Sequence, residues 1–85
     1  MSDLKAQFEA AAQNVKKLKE DPGNDAKLQL YALYKQGSEG DVQGRRPGFT
    51  DMIGRAKYDA WAKVKGQTHD EAMKNYVALV KSLGG

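Results

Sequence analysis

Leu4, Phe8, Ala12, Val15 and Leu18 recur at spacings of three and four, which places them on one helical face. The spacing predicts a first helix over residues 3–19, with Ser2 as its N-cap. Lys16, Lys17 and Lys19 enrich its last turn, where cations suit the helix dipole. Asp21-Pro22-Gly23-Asn24 then breaks the pattern. A second helix follows over residues 24–36, capped by Asn24 or Asp25 and ended by Gly37. Its apolar residues form two stripes. Leu28, Tyr31 and Ala32 lie along one side, with Lys35 continuing it; Leu30, Leu33 and Tyr34 cover another. A helix with two apolar sides contacts two different things, one of them the core.

Residues 37–50 hold four glycines and one proline and show no periodicity. So long a loop in a small domain is either functional or a crossover joining two parallel helices. A third helix is expected from Thr50 or Asp51, either able to cap it, to about residue 65, with Gly66 beyond its end. Ile53, Lys57, Ala60, Trp61 and Val64 share one of its faces. Thr68-His69-Asp70-Glu71 is a capping box that opens the fourth helix. Ala72, Met73, Tyr76, Val77, Val80 and Leu83 form that helix's buried face. Nothing reads as a strand or an internal repeat. The pattern therefore predicts an all-α fold, a four-helix bundle with two short connections and one long one, forming a single domain over residues 1–85.

Composition narrows the function classes. With 85 residues the core is modest, and without cysteine there is no disulfide framework, thiol nucleophile or thiolate metal site. No apolar run approaches the roughly 18–20 residues that span a bilayer. Met1 to Ala12 carries Asp3 and Glu9 and has no signal-like apolar stretch. A soluble, intracellular chain is expected. The net charge is +3, carried entirely by residues 52–85 with six basic and three acidic groups; residues 1–51 hold eight of each. This balance is weaker than that of a dedicated nucleic-acid binder.

Catalytic constellations are missing. His69 is the only histidine, and in a capping turn it reads as exposed and structurally neutral. There is no HExxH, no cysteine–histidine cluster and no EF-hand loop, so no metal site is expected. Gly37-Ser38-Glu39-Gly40 lacks the lysine that a phosphate-binding GxxxxGK loop requires. A serine nucleophile would need a base within hydrogen-bonding reach.

One face does suggest binding. Leu28, Tyr31 and Lys35 follow one another a turn apart, so they read apolar, aromatic, cationic. The pattern alone admits a core tyrosine with a solvated lysine. It also admits a ring that stacks on a nucleobase beside an ammonium that binds a phosphate. Lys57 sits on the apolar face of the third helix, between Ile53 and Trp61, either snorkelling to water or waiting for an anion. Gly54 in a helix interior costs about 1 kcal/mol relative to alanine, which points to something approaching the backbone there. Tyr76 reads as core on pattern, with a site role left open.

Tyr34-Lys35-Gln36, Gly40-Asp41, Arg46-Pro47-Gly48 and Gly54-Arg55-Ala56-Lys57-Tyr58-Asp59-Ala60-Trp61 together resemble the signature of the acyl-CoA-binding protein family. Phe8, Val15-Lys16, Leu18-Lys19, Tyr31 and Asp70-Glu71-Ala72-Met73 with Tyr76 agree with it, so the resemblance spans nearly the whole chain. It implies an up-down-down-up bundle that carries medium- to long-chain fatty acyl-CoA without catalysis, cofactor or metal, as a monomeric cytoplasmic carrier and pool former. Acyl-CoA-using enzymes or membrane surfaces would be transient partners, and nucleic acid would not be one. By the resemblance, Tyr31 stacks on the adenine, Lys35 and Lys57 bind the 3′-phosphate, Lys16 approaches the phosphates, and Tyr76 contacts the nucleotide or acyl region. Phe8, Ala12 and Leu28 line the acyl path. Five positions depart from the family's usual residues. Tyr58 replaces tryptophan, Arg55 replaces lysine, Gly37-Ser38 replaces alanine-threonine with an expected loosening of the second helix's end, and Lys27 replaces an apolar residue. Two other readings compete: a basic helical nucleic-acid module, and a peripheral membrane protein using the lysine-edged face of the first helix.

Overall fold

A computed structural model describes residues 3–85 as four helices: α1 (Leu4–Asn14), α2 (Asn24–Glu39), α3 (Met52–Lys63) and α4 (His69–Ser82). No strand occurs among the described residues. The cap expected at Ser2 lies outside them. Asp3 occupies the N-cap position of α1 and makes no side-chain capping bond.

The helix ends differ from the expected ones for physical reasons. α1 stops at Asn14, and a single 3₁₀ turn, Val15–Lys17, replaces the last α-helical turn. Tightening of this kind satisfies end carbonyls that have no i+4 donor, and Leu18 then leaves the helix with ψ 133°. α2 runs straight through Gly37 to Glu39 and ends at Gly40, which has φ +90°. Gly37 is therefore neither a helix end nor a loose one. It is buried, and a Cβ there would lie 3.0 Å from Met73 Cγ and 3.1 Å from Phe8 Cζ. Close packing of α1 and α4 against this point overrides the roughly 1 kcal/mol propensity cost of glycine. Ser38 Oγ, next in line, donates to the Tyr34 carbonyl at 2.7 Å.

α3 is capped by Asp51, whose carboxylate accepts from Gly54 N at 2.9 Å. A Cβ on Gly54 would collide with that same carboxylate, so the group approaching the backbone is the cap itself. α3 ends at Lys63, and tight turns through Val64 and Lys65 lead to Gly66 at φ +96°. α4 opens with the expected capping box: Glu71 N donates to Thr68 Oγ1 at 3.0 Å and Thr68 N to Glu71 Oε1 at 2.9 Å. His69 is exposed but not structurally idle. Its Nδ1 lies 2.8 Å from the Gly37 carbonyl, tying the start of α4 to the end of α2.

Contacts give the helix directions. On α1 and α4, Phe8 meets Tyr76 while Leu18 lies beside Gly85, so the partners advance together and the helices are parallel. On α2 and α3, Tyr31 meets Lys57 and Gln36 meets Trp61, again parallel. Gly37 meets His69 and Met73 while Tyr34 meets Tyr76, so α2 and α4 are antiparallel. The topology is up-down-down-up, and the long connection, residues 40–51, is what returns the chain to the start of α3.

The core is built by α1, α2 and α4, from Phe8, Ala11, Leu30, Leu33, Tyr76, Val77 and Val80. α3 has no buried residue and packs chiefly on α2. Burial of each core side chain contributes roughly 1.5–3 kcal/mol for the larger ones, which fixes α2 in place. The seam between α2 and α3 is thus the part of the bundle where side chains stay reachable.

Candidate ligand site

α2 is the floor of the site, and its two stripes explain why. Tyr34 turns toward α1, where its ring stacks on Phe8 with centroids 5.2 Å apart and an interplanar angle of 20°. Tyr31, three residues earlier, turns toward α3 and meets Trp61 edge-on at 6.4 Å. The strip of α2 between these two tyrosines is flanked by both neighbouring helices.

Three cations or rings expected to act together do converge. Lys57 Nζ lies 5.3 Å from the centroid of the Tyr31 ring, and Lys35 Nζ lies 6.0 Å from the same centroid and 5.8 Å from that of Trp61. Two ammonium groups from two helices therefore share one aromatic platform. In this geometry a flat ring can lie on Tyr31 while an anion sits between the ammonium groups. Lys35 Nζ is also 2.7 Å from Glu39 Oε2, one turn on in α2. That hydrogen bond is the main cause holding the Lys35 ammonium above its ordinary pKa, with burial opposing it.

A buried polar hub fixes the frame of this platform. Gln36 is completely buried. Its Nε2 donates to Asp41 Oδ1 at 2.7 Å and to the Gln67 carbonyl at 2.8 Å, and its Oε1 accepts from Trp61 Nε1 at 3.1 Å. Trp61 Nε1 donates also to the Gly40 carbonyl at 2.9 Å. Asp41 Oδ1 accepts in addition from Gly66 N at 2.9 Å, and this bond, followed by the one from Gln36, lowers the Asp41 pKa. One amide thereby joins α2, α3 and both loops at their common end, and it fixes the indole against which Tyr31 and Lys35 rest. Farther along, Arg46 grips Asp59 through two bonds of 2.8 and 2.6 Å, and Tyr58 donates to the Gly44 carbonyl at 3.0 Å. These contacts pin the long connection to α3, and the Arg46 bond is the main cause of a lowered Asp59 pKa.

The remaining candidates occupy other places. Tyr76 is in the core, edge-on to Phe8 at 5.1 Å and tilted against Tyr34 at 5.8 Å; burial raises its hydroxyl pKa. Lys16 is exposed in the 3₁₀ turn and takes part in none of the contacts around Tyr31. Phe8 is buried, Ala12 half-buried against the core, and Leu28 half-buried on α2. Lys27, which replaces an apolar residue, has its ammonium 2.8 Å from Asp21 Oδ2. A cavity of about 810 Å³ lies between α2, α3 and α4; Leu28, Ala32, Ala60 and Val64 line it, and none of Tyr31, Lys35, Lys57 or Trp61 does. Gln36, Glu39, Trp61 and Tyr34 carry no site role in the sequence reading. The signals for Gln36 were its place in the Tyr34-Lys35-Gln36 motif and its position one turn beyond Ala32 on an otherwise apolar side.

Residues 5–80 match the family model described as acyl CoA binding protein. The chain belongs to the acyl-CoA-binding protein family. Acyl-CoA-binding protein homolog 1 of Caenorhabditis elegans is 51% identical over 76 residues, covering 89% of this chain and 88% of that protein. The family's domain also occurs inside a larger protein: enoyl-CoA delta isomerase 2 of Homo sapiens is 50% identical over 76 residues, but the match covers only 19% of its length. The crystal structure of Oryza sativa acyl-CoA-binding protein 2 superposes with a TM-score of 0.90 at 42% identity, over 94% of this chain and 89% of that one. The four-helix frame and its long connection are thus features of the family. No helix among the described residues is long and apolar enough to cross a membrane, and no group of histidine, cysteine, aspartate or glutamate among them could hold a metal ion.

Proposed function

We propose that this chain binds medium- to long-chain fatty acyl-CoA thioesters without transforming them, and serves as a monomeric cytoplasmic carrier that keeps a pool of them available. The observation that carries the reading is the meeting of Tyr31, Lys35 and Lys57 around one platform. The adenine of CoA stacks on Tyr31, and the 3′-phosphate lies between the Lys35 and Lys57 ammonium groups. Lys16 reaches the remaining phosphates from the end of the first helical segment. The acyl chain passes over Leu28 toward Ala12, with Phe8 and Tyr76 forming the aromatic wall behind it. No cofactor or metal takes part, and enzymes or membranes that give or take acyl-CoA are transient partners.

Magnitudes favour a ligand with both ends. Each buried CH₂ contributes about 0.8 kcal/mol, so a chain of roughly sixteen carbons supplies on the order of 10 kcal/mol. The cost of association is about 4–15 kcal/mol. Apolar contact therefore supplies most of the affinity, while charge-assisted phosphate contacts fix orientation and select CoA. Isothermal titration calorimetry with palmitoyl-CoA, CoA and palmitate tests this. Palmitoyl-CoA binds far more tightly than CoA, and palmitate hardly binds. Equal affinity for palmitate and palmitoyl-CoA would overturn the reading. Native mass spectrometry of freshly purified protein identifies the acyl chain carried.

A further inference from the structure

The junction between the long connection and α3 bears an apolar cluster that the bundle does not use. Phe49, Met52 and Ile53 are 85%, 75% and 74% exposed. Single exposed apolar residues are ordinary, but three large ones within five positions form a patch, and patches mark interaction sites. The patch is not on a loose loop. Asp51 caps α3 between Phe49 and Met52, Arg46 clamps the connection to Asp59, and Tyr58 bonds Gly44. Phe49 has the Arg55 guanidinium 4.4 Å from its ring centroid, so the ring and a cation are presented together.

Cations outnumber carboxylates around the patch. Residues 42–58 carry Arg45, Arg46, Arg55 and Lys57 against one carboxylate, Asp51. That carboxylate is committed to the Gly54 N–H, and Arg46 is matched by Asp59 just beyond. An apolar tip with a cationic collar complements a surface that is anionic outside and hydrocarbon beneath. We propose that this junction docks the protein on anionic lipid bilayers, with Phe49, Met52 and Ile53 entering the interface and Arg45 and Arg55 facing the lipid headgroups. Ile53 lies one turn before Lys57 on α3, so the docked face adjoins the ligand platform. On the reading of the chain as an acyl-CoA carrier, on which this last step rests, ligand passes between bilayer and protein without crossing bulk water.

The test is co-sedimentation of the full chain with phosphatidylcholine vesicles, with and without phosphatidylserine, in the absence of acyl-CoA. Binding is expected to phosphatidylserine-containing vesicles, to be much weaker without phosphatidylserine, and to fall as salt is added. R45Q/R55Q lowers the affinity by roughly 25-fold, about fivefold per charge near an anionic surface. F49S/M52S lowers it at least tenfold, while its thermal melt and its palmitoyl-CoA affinity in solution stay those of the wild type. No binding to phosphatidylserine vesicles overturns the proposal, whether the protein stays monomeric or associates with itself through the patch. So does binding undiminished in F49S/M52S. Failure of the wild type to bind palmitoyl-CoA in solution instead defeats the carrier reading, and the vesicle result is read separately.

Discussion

Glu39 pairs with the Lys35 ammonium, on which the proposed site places the 3′-phosphate. The Lys35–Glu39 pair is 2.7 Å long, with the two side chains 32% and 55% exposed. An exposed i,i+4 pair of this kind contributes about 0.3–0.5 kcal/mol. Binding a phosphate at Lys35 must break or share it. The Glu39 carboxylate then also stands near the incoming anion, at a separation of about 5 Å if the phosphate takes Glu39's place on Lys35. At that distance two unit charges in water repel by roughly 0.8 kcal/mol before salt screening. E39Q removes both penalties and leaves a neutral side chain of the same shape. It is expected to tighten palmitoyl-CoA binding by about 1 kcal/mol, roughly fivefold in Kd. The assay is calorimetry at low salt with palmitoyl-CoA and with its analogue lacking the 3′-phosphate. The gain should appear for the first ligand, largely vanish for the second, and shrink near 1 M salt, where the screening length falls to about 3 Å. An unchanged or weaker Kd in E39Q, or an equal gain for both ligands, refutes the placement of the phosphate at Lys35.

Other expectations follow from the same geometry. Lys35→Ala or Lys57→Ala weakens palmitoyl-CoA binding by about 1.5–3 kcal/mol, the range for a charge-assisted hydrogen bond, and least for the ligand without the 3′-phosphate; unchanged calorimetric constants in both variants would count against the site. Gln36→Leu leaves the Gln67 carbonyl without its buried donor and is expected to lower unfolding free energy by about 1–3 kcal/mol or more in urea titrations; a neutral result would show that the hub is dispensable. Gly37→Ala sets a propensity gain of about 1 kcal/mol against overpacking of about 1–3 kcal/mol at Phe8 and Met73, so the urea midpoint should fall slightly, and a rise would contradict the crowding. Asp41 and Asp59 have folded pKa values below the unfolded carboxylate value of about 3.9, so the stability they contribute is present above that pH and is lost as pH falls through the lower folded values. Thermal melts between neutral pH and pH 3 should show this fall, and Asp59→Asn should lessen it.

The four helices could be read from spacing because an amphipathic segment must bury its stripe wherever the partner lies. The capping box at Thr68 and the Asp51 cap were equally legible, since capping is a bond between residues three apart. The convergence of Tyr31 with Lys35 needed only the helical repeat. That Lys57 would join them rested on resemblance, because no local rule says which face of α3 meets which face of α2. Tertiary packing decided the rest. Gly37 looked like a terminator until Phe8 and Met73 were seen to close on it, leaving little room for a side chain. His69 looked idle until the Gly37 carbonyl came within 2.8 Å of its ring. Gln36 became the hub of the frame only when Asp41, Trp61 and Gln67, up to 31 residues distant, met in one buried spot. Local patterns encode bonds and faces within a few residues. Burial and the partners of a buried amide depend on distant chain segments, and only the folded arrangement brings those together.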